Sequence, residues 1–217
     1  ESDVWTGYVM SGQVTSLYTL SIPNYQLVVN MAGELVETSV DNGDGTFTYD
    51  VPVREGYTWS DGSPITANDW EFTFDTVKNL SLGGNFLSSY PYSCEDEEGT
   101  AKNCVVSVVA TDDYTVSITF NYDPGLSTWQ YGTAQGIAFS KAYWEQYATD
   151  KETLYAHDAT NAPVASAFVY DKLEQGAFYT WKYDANTMWY GGTTTIYDGG
   201  GTSVDWDNGK APAFSAD

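Results

Sequence analysis

The chain has 217 residues, with eight basic side chains against thirty acidic ones and a formal net charge of −22. Because phosphate binding needs clustered Lys and Arg, this charge excludes nucleic acid as a partner. The length is enough to bury a sizeable core, and no run of eighteen apolar residues is present that would span a membrane.

The composition is typical of an extracellular or cell-surface protein. Aromatic residues make up 16% of the chain, with eighteen Tyr and eight Trp, and Tyr, Thr, Ser and Asn take positions that Lys and Glu fill in cytosolic proteins. The chain opens at Glu1 without Met, so we expect that any export signal has already been removed. The acidity suits either salty or acidic surroundings, in which the carboxylates are screened or protonated, and both remain open.

The first hairpin is predicted from two alternating stretches, 34–40 and 47–53, on either side of the sequence DNGDGT. Pro52 predicts that the second of these strands lies at an edge or a bulge. Asp41 and Asp44 could suggest a calcium loop, but the alternating ligands and the distant Glu of such a loop are not in register. A turn is therefore predicted here, and neither a metal nor a cofactor is expected for the chain.

A helix is predicted over residues 67–79, after the turn at Asp61-Gly62 and the rigid Pro64. Thr66 is placed to cap this helix, with Asp69 three residues later in an arrangement like a capping box. Trp70, Phe74 and Val77 follow at helical spacing, so one face of the helix must be covered.

Two candidate modification sites follow the helix. Asn79 begins the tripeptide Asn-Leu-Ser, which makes it a glycosylation candidate. Cys94 and Cys104 bracket the residues EDEEGTAKN. A redox pair or half of a metal site is the alternative, but the spacing fits neither, and the chain has one His. A structural disulfide is therefore predicted, and it places the protein in an oxidising compartment.

The rest of the chain is predicted to form mainly β-hairpins. The predicted fold class is therefore α+β, with mostly antiparallel strands and a few short helices. A second hairpin is expected from 105–110 and 115–122, and a third from 167–172 and 177–183. Ser140 is a plausible cap for a short helix. The stretch 151–164, with His157, is predicted to be an exposed loop. A last strand is predicted at 193–197, and we expect the tail 193–217 to be flexible or exchanged between copies.

One part of the sequence closely resembles the signature of the extracellular solute-binding proteins, family 5, which are the dipeptide and oligopeptide receptors of ABC importers. It is the run REGYTWSDGSPITANDWEFTFDTVKNL. The phrases ATDDYTVSITF and AFVYDKLEQGAFYTWKYDANTMWYGG are also similar to the family, although Ser166-Ala167 replaces a Gly-Pro step. The signature positions are Arg54, Gly56, Trp59, Asp61, Gly62, Pro64, Thr66, Ala67 and Asp69.

This resemblance covers residues 35–192 and implies the fold of a single N-terminal lobe, as in the class II, cluster C periplasmic-binding proteins, over residues 1–217. Complete family members are much longer and trap their ligand between two lobes. In the receptors the neighbourhood of 126–136 approaches the ligand cleft. We therefore predict that Trp129, Gln130 and Tyr131 face the ligand. The alternative is that the two aromatic residues are ordinary core or surface residues.

An enzyme is not predicted, because the sequence contains no nucleophile elbow, His-based dyad, phosphate loop or metal cluster. The resemblance implies an extracellular receptor lobe that binds a peptide or a similar small solute and delivers it to the permease of an ABC importer. The alternative is a structural surface subunit that reuses such a lobe, pairs with copies of itself through exposed faces or edge strands, and polymerises into a filament or tube.

Overall fold

The computed structural model describes residues 13–21, 24–166, 168–174, 178–183, 193–197 and 203–207. The described part confirms the α+β class, with mostly antiparallel strands and short helices. In chain order the elements are β1 (Thr15–Ser16), β2 (Tyr18–Leu20), β3 (Leu27–Val29), β4 (Val40–Asp41), β5 (Phe47–Pro52), α1 (Ala67–Asn79), α2 (Asn85–Ser89), β6 (Val105–Asp112), β7 (Thr115–Phe120), β8 (Ile137–Ala138), α3 (Lys141–Trp144), α4 (Lys151–Ala156), β9 (Phe168–Glu174), β10 (Phe178–Tyr183), β11 (Thr193–Tyr197) and β12 (Ser203–Asp207).

The largest unit is a four-stranded antiparallel sheet with the order β4-β5-β7-β6. Along β5 the buried side chains Tyr49 and Val51 alternate with Thr48 and Asp50, which face outward.

The prediction that Pro52 marks an edge strand or a bulge is wrong, because β5 is an inner strand that pairs with β4 and, in unbroken register, with β7. Pro52 itself lies beyond the short β4, and its carbonyl accepts a hydrogen bond from the Gly33 N–H at 2.7 Å. In a β-strand, the backbone nitrogen and the carbonyl of one residue point to the same side. The Pro52 nitrogen therefore points to the side of Gly33, beyond the end of β4, where no neighbouring strand needs the N–H that Pro52 lacks.

Helix α1 packs against β6 and β7 and begins and ends at the predicted residues. Its apolar stripe of Trp70, Phe74 and Val77 is buried in the core. Thr66 precedes the helix as its N-cap, and the Thr66 N–H donates to the Asp69 carboxylate at 3.0 Å. The helix therefore supplies the apolar layer that covers one face of the sheet.

The remaining strands form two-stranded antiparallel units: β1 with β8, β2 with β3, β9 with β10, and β11 with β12. The second and third predicted hairpins are confirmed as the pairs β6–β7 and β9–β10. The predicted strand at Thr193–Tyr197 is also present, and it pairs with β12, which the sequence pattern did not predict. Residues 198–202 and 208–217 lie outside the described part, so a flexible or exchanged tail over 193–217 stays a prediction.

The first predicted hairpin is wrong in its first strand, which is only two residues long. Instead of pairing along 34–39, the backbone is held by aromatic side chains. The Tyr18 hydroxyl donates to the Glu34 carbonyl at 3.0 Å and accepts from the Val36 N–H at 3.1 Å. The Trp129 indole N–H donates to the Val36 carbonyl at 3.1 Å. These bonds satisfy the backbone without a strand partner.

The predicted loop over 151–164 is also wrong, because it contains α4 and a 3-10 turn at Ala159–Asn161. None of the side chains of α4 is buried, so the helix has no apolar periodicity to reveal it. The Asp150 carboxylate caps it by accepting from the Thr153 N–H at 2.8 Å. His157 is half-buried rather than exposed, and its ring stacks on that of Tyr147 with 3.6 Å between centroids.

The predicted disulfide between Cys94 and Cys104 is confirmed, with 5.2 Å between the two Cα atoms. Asn79 is exposed as the last residue of α1, and its glycosylation stays a prediction. Within the part of the chain that the structure describes, no helix is both long and apolar enough to cross a membrane.

Candidate functional site

The candidate site is a cleft of about 350 Å³ where three distant parts of the chain meet. One wall comes from residues 37–39, which lead into β4. A second wall comes from the turn after β7, residues 123–126, together with Gln130. Leu27, Tyr49 and Trp129 complete the lining. The sequence separation between these parts means that the cleft exists only after the sheet and its flanking turns have formed.

A stacked aromatic pair makes the rigid base of the cleft. The rings of Tyr49 and Trp129 lie 3.7 Å apart between centroids, at an angle of 10°. Tyr18 and Phe120 contact the Trp129 ring edge-on, at 6.1 and 6.5 Å. Only 3% of Trp129 is exposed, so packing rather than solvent determines the position of this ring.

Polar groups form the rim. The Ser39 hydroxyl donates to the Asp123 carboxylate at 3.2 Å, which joins the two walls. Burial has the largest effect on the Tyr49 hydroxyl and raises its pKa, while neighbouring Ser39 lowers that pKa and the charge of Asp123 raises it.

The three residues predicted to face the ligand have different environments. Trp129 and Gln130 both line the cleft, whereas Tyr131 does not. The burial of Trp129 agrees with the alternative of an ordinary core aromatic. Gln130 is half-buried, and its side-chain amide donates to the Tyr25 carbonyl at 2.8 Å. Tyr131 is 51% exposed on the same turn. Contact of these three residues with a ligand stays a prediction.

Most of the lining residues were not predicted from the sequence, among them Glu37, Ser39, Tyr49 and Asp123. Asp123 starts the sequence Asp-Pro-Gly three residues after the end of β7, which is a turn signal, but a turn signal carries no information about a cleft. Tyr49 looks like any inward-facing residue of β5. Only the packing of Trp129 against it shows that it forms part of the site.

Comparison with known proteins identifies the family of the chain. Residues 30–207 match the model of the bacterial extracellular solute-binding proteins, family 5, middle part. The chain belongs to this family. The solute-binding family 5 is defined by binding rather than by catalysis, which agrees with the expectation that the chain is not an enzyme, and its members are extracellular proteins.

Individual relatives support the membership. A segment of 93 residues is 33% identical to the oligopeptide-binding protein OppA of Bacillus subtilis and covers 40% of this chain and 16% of OppA. Another alignment, with a probable ABC transporter-binding protein of Deinococcus radiodurans, is 30% identical over 92 residues and covers 42% of this chain and 14% of the relative.

The fold is shared with solved family 5 structures. The oligopeptide-binding protein AppA of Bacillus subtilis, in complex with a nonapeptide, has a TM-score of 0.59 and 14% sequence identity. The superposition covers 86% of this chain and 33% of AppA. At this identity the likeness shows the fold alone. The chain spans about a third of the length of AppA, and its alignments cover a smaller part of OppA and of the Deinococcus radiodurans relative.

Proposed function

We propose that this chain is part of an extracellular receptor that binds a peptide or a similar small solute in the cleft based on Tyr49 and Trp129. In this proposal the receptor passes the solute to the permease of an ABC importer. The observation that carries the proposal is the match to the solute-binding family over residues 30–207, combined with a cleft whose lining residues, except Leu27, all lie in the matched region.

The size of the cleft supports contact with part of a ligand. Its volume of about 350 Å³ lies near the lower end of the roughly 300–1,000 Å³ of small-molecule sites. The base is apolar and rigid, while hydroxyl, amide and carboxylate groups surround the mouth. This arrangement fits a ligand that has both apolar and polar groups, such as a peptide. The relative OppA is named an oligopeptide-binding protein.

The location and the partners follow from the same reasoning. The disulfide at Cys94 and Cys104 fits an oxidising environment outside the cytoplasm. The Deinococcus radiodurans relative is named a probable ABC transporter-binding protein. None of the relatives named above favours the alternative of a polymerising surface subunit.

Calorimetric titration of the chain with short peptides tests the proposal. We expect saturable binding, and we expect Gln130→Ala to weaken it several-fold, because Gln130 lines the cleft. The matched control is Gln146→Ala. Gln146 is exposed, and its amide also donates to a backbone carbonyl, that of Tyr143 at 3.1 Å, but it does not line the cleft. An equal loss in both variants would contradict the cleft as the binding site.

A further inference from the structure

The cleft wall at 37–39 belongs to a segment that makes few contacts with the core. Over residues 33–38 no side chain is buried, and Val36 alone is half-buried and packs against the core. In the described part of the chain, the hydrogen bonds to the backbone of 34–38 come from side chains and not from a neighbouring strand. Apart from Val36, burial of apolar side chains contributes little here, so the position of the wall depends on these few hydrogen bonds.

Two aromatic side chains hold both backbone groups of Val36. The Tyr18 hydroxyl accepts a hydrogen bond from the Val36 N–H at 3.1 Å, and the Trp129 indole N–H donates to the Val36 carbonyl at 3.1 Å. The Tyr18 hydroxyl also donates to the Glu34 carbonyl at 3.0 Å. Tyr18 is 0% exposed and Trp129 is 3% exposed, so water competes poorly for these bonds. Val36 is therefore fixed relative to two core rings, one residue before the wall begins.

The rest of the core fixes the two rings. Their centroids lie 6.1 Å apart in an edge-on contact, and Trp129 stacks on Tyr49 in the base of the cleft. Tyr18 lies in β2, whose Leu20 pairs with Leu27 of β3, and Leu27 lines the cleft. The same pair of strands therefore supplies one residue of the cleft and the hydroxyl that holds its wall, although Tyr18 itself does not line the cleft.

Beyond Val36, the wall is also tied at Ser39, through a bond that is open to water. The Ser39 hydroxyl donates to the Asp123 carboxylate at 3.2 Å, and this bond is exposed. The Tyr18 hydroxyl differs. Burial has the largest effect on it and raises the pKa of Tyr18 to about 12, while the bond from Val36 lowers that pKa and the Glu34 charge raises it. The hydroxyl therefore keeps its proton at neutral pH and can donate and accept at the same time.

We propose that Tyr18 is a positioning residue of the cleft, which acts on ligand affinity through Val36 without touching the ligand. The inference rests on the proposed function, because it assigns a role in binding at the same cleft. With the Tyr18 hydroxyl in place, the wall at 37–39 stands beside Trp129 before the ligand arrives. Without the hydroxyl, the segment moves among other positions, and the ligand must order it at a cost in affinity.

A variant that removes the hydroxyl and keeps the ring tests this role. Tyr18→Phe in the 217-residue chain loses both hydrogen bonds of the hydroxyl but retains the edge-on contact with Trp129. The matched control is Tyr90→Phe. Tyr90 is also 0% exposed and donates to a backbone carbonyl, that of Ile137 at 3.1 Å, but it lies outside the cleft lining.

Both variants and the wild type are titrated by calorimetry with the peptides Ala-Leu-Ala and Ala-Leu-Ala-Leu-Ala. The temperature is one at which thermal unfolding curves show all three proteins folded, so a loss of stability does not reduce the affinity. Tyr18→Phe should bind about tenfold more weakly than the wild type, which corresponds to about 1.4 kcal/mol, while Tyr90→Phe should stay within about twofold of it.

Amide hydrogen exchange, followed by NMR, locates the effect without a ligand. In the wild type the Val36 N–H should be protected, whereas those of Leu35 and Glu37, for which the described residues supply no acceptor, should exchange rapidly. In Tyr18→Phe the Val36 N–H should exchange at least about tenfold faster than in Tyr90→Phe. The comparison with Tyr90→Phe removes the part of the effect that comes from a general loss of stability.

The outcomes separate this inference from the proposed function. If the wild type binds neither peptide, the proposed function fails and the inference fails with it. If the wild type binds and both variants keep its affinity, the inference alone fails, because the Tyr18 hydroxyl then has only a structural role. Equal losses of affinity in the two variants, or a Val36 N–H that is unprotected in the wild type, also overturn it. A loss confined to Tyr18→Phe, with faster exchange at Val36, supports it.

Discussion

At the scale of single residues, Trp129 and Tyr131 show how neighbouring aromatics acquire different roles. The two stand two positions apart on the turn after β7, but Trp129 is 3% exposed and Tyr131 is 51% exposed. Trp129 packs on Tyr49 and bonds the Val36 carbonyl, so it joins the turn to the sheet and to the segment before β4. Tyr131 has no comparable packing, so its ring is available at the surface.

We therefore expect Trp129→Ala to lower the free energy of unfolding by about 3–5 kcal/mol, as loss of a large core aromatic does. Tyr131→Ala should change it by less than about 0.5 kcal/mol. Urea unfolding followed by circular dichroism measures both. Similar losses in the two variants would contradict the packing described for Trp129.

Asp69 is a buried carboxylate that links three parts of the chain, and it is 3% exposed. Its oxygens accept hydrogen bonds from the Trp59 indole N–H at 3.2 Å, the Thr66 N–H at 3.0 Å and the Lys141 N–H at 2.8 Å. Burial nevertheless has the largest effect on this carboxyl and raises its pKa above 3.8, while the three hydrogen bonds lower it.

Asp69→Asn should cost about 1–3 kcal/mol at neutral pH, because an amide nitrogen replaces one of two accepting oxygens and faces an N–H donor. Asp75→Asn, at an exposed position on the same helix, is the control and should change stability by less than about 0.5 kcal/mol. Urea unfolding at neutral pH compares them, and equal effects would show that the three hydrogen bonds contribute nothing specific.

The stability of the wild type relative to Asp69→Asn should also depend on pH. Because the folded pKa is raised, the folded protein binds the proton more readily than the unfolded chain. The relative stability of the wild type therefore increases as the pH falls from neutral through the raised pKa, and it levels off below 3.8. Unfolding of both proteins across this range measures the difference, and a difference independent of pH would contradict the raised pKa.

At the scale of elements, predictions succeeded where the signal is local. The bounds of α1 followed from its cap and its apolar stripe, and the hairpins β6–β7 and β9–β10 followed from alternation around a turn. The predictions for 34–40 and 151–164 failed for opposite reasons. In the segment 34–40, the side chains of Tyr18 and Trp129 hold the backbone without a strand partner. The segment 151–164 contains α4, none of whose side chains is buried, so the Asp150 cap was the one sequence signal for this helix.

The disulfide loop is the element with the clearest energetic prediction. Cys94 and Cys104 are ten residues apart, and in the chain-entropy model closing so short a loop stabilises the folded state by about 3 kcal/mol. Reductant should lower the urea midpoint accordingly. The double variant Cys94→Ser, Cys104→Ser is the control, because its midpoint should already be low and should not respond to reductant. A wild-type midpoint that reductant leaves unchanged would rule out this contribution.

At the scale of the whole molecule, the charge of −22 dominates the electrostatics. Excess charge of one sign destabilises a compact state through self-repulsion. Over the described residues a single ion pair, Lys182 with Asp171, offsets this repulsion locally. Charge neutralisation by the chain itself is therefore small, and the surrounding ions must supply the screening.

We expect the thermal midpoint of unfolding to rise when NaCl is increased from about 0.01 M to about 1 M, since the Debye length falls from about 30 Å to about 3 Å. A chain of this size gains roughly 2–4 °C for each kcal/mol of stabilisation. Calorimetry measures the midpoint, and sucrose at matched osmolality serves as the uncharged control. An equal rise in sucrose would attribute the effect to exclusion from the surface rather than to screening.

The sequence by itself determined the family, the α+β class, the bounds of α1, two hairpins and the disulfide, because each depends on residues close together in the chain. Only the tertiary structure decided the cleft. Its walls come from 37–39, from Tyr49 and from 123–130, and no local pattern records that these parts meet. The same reason applies to Trp129. The sequence shows that a large apolar ring is present, but only the packing of Tyr18, Tyr49 and Phe120 around this ring makes it the base of the cleft.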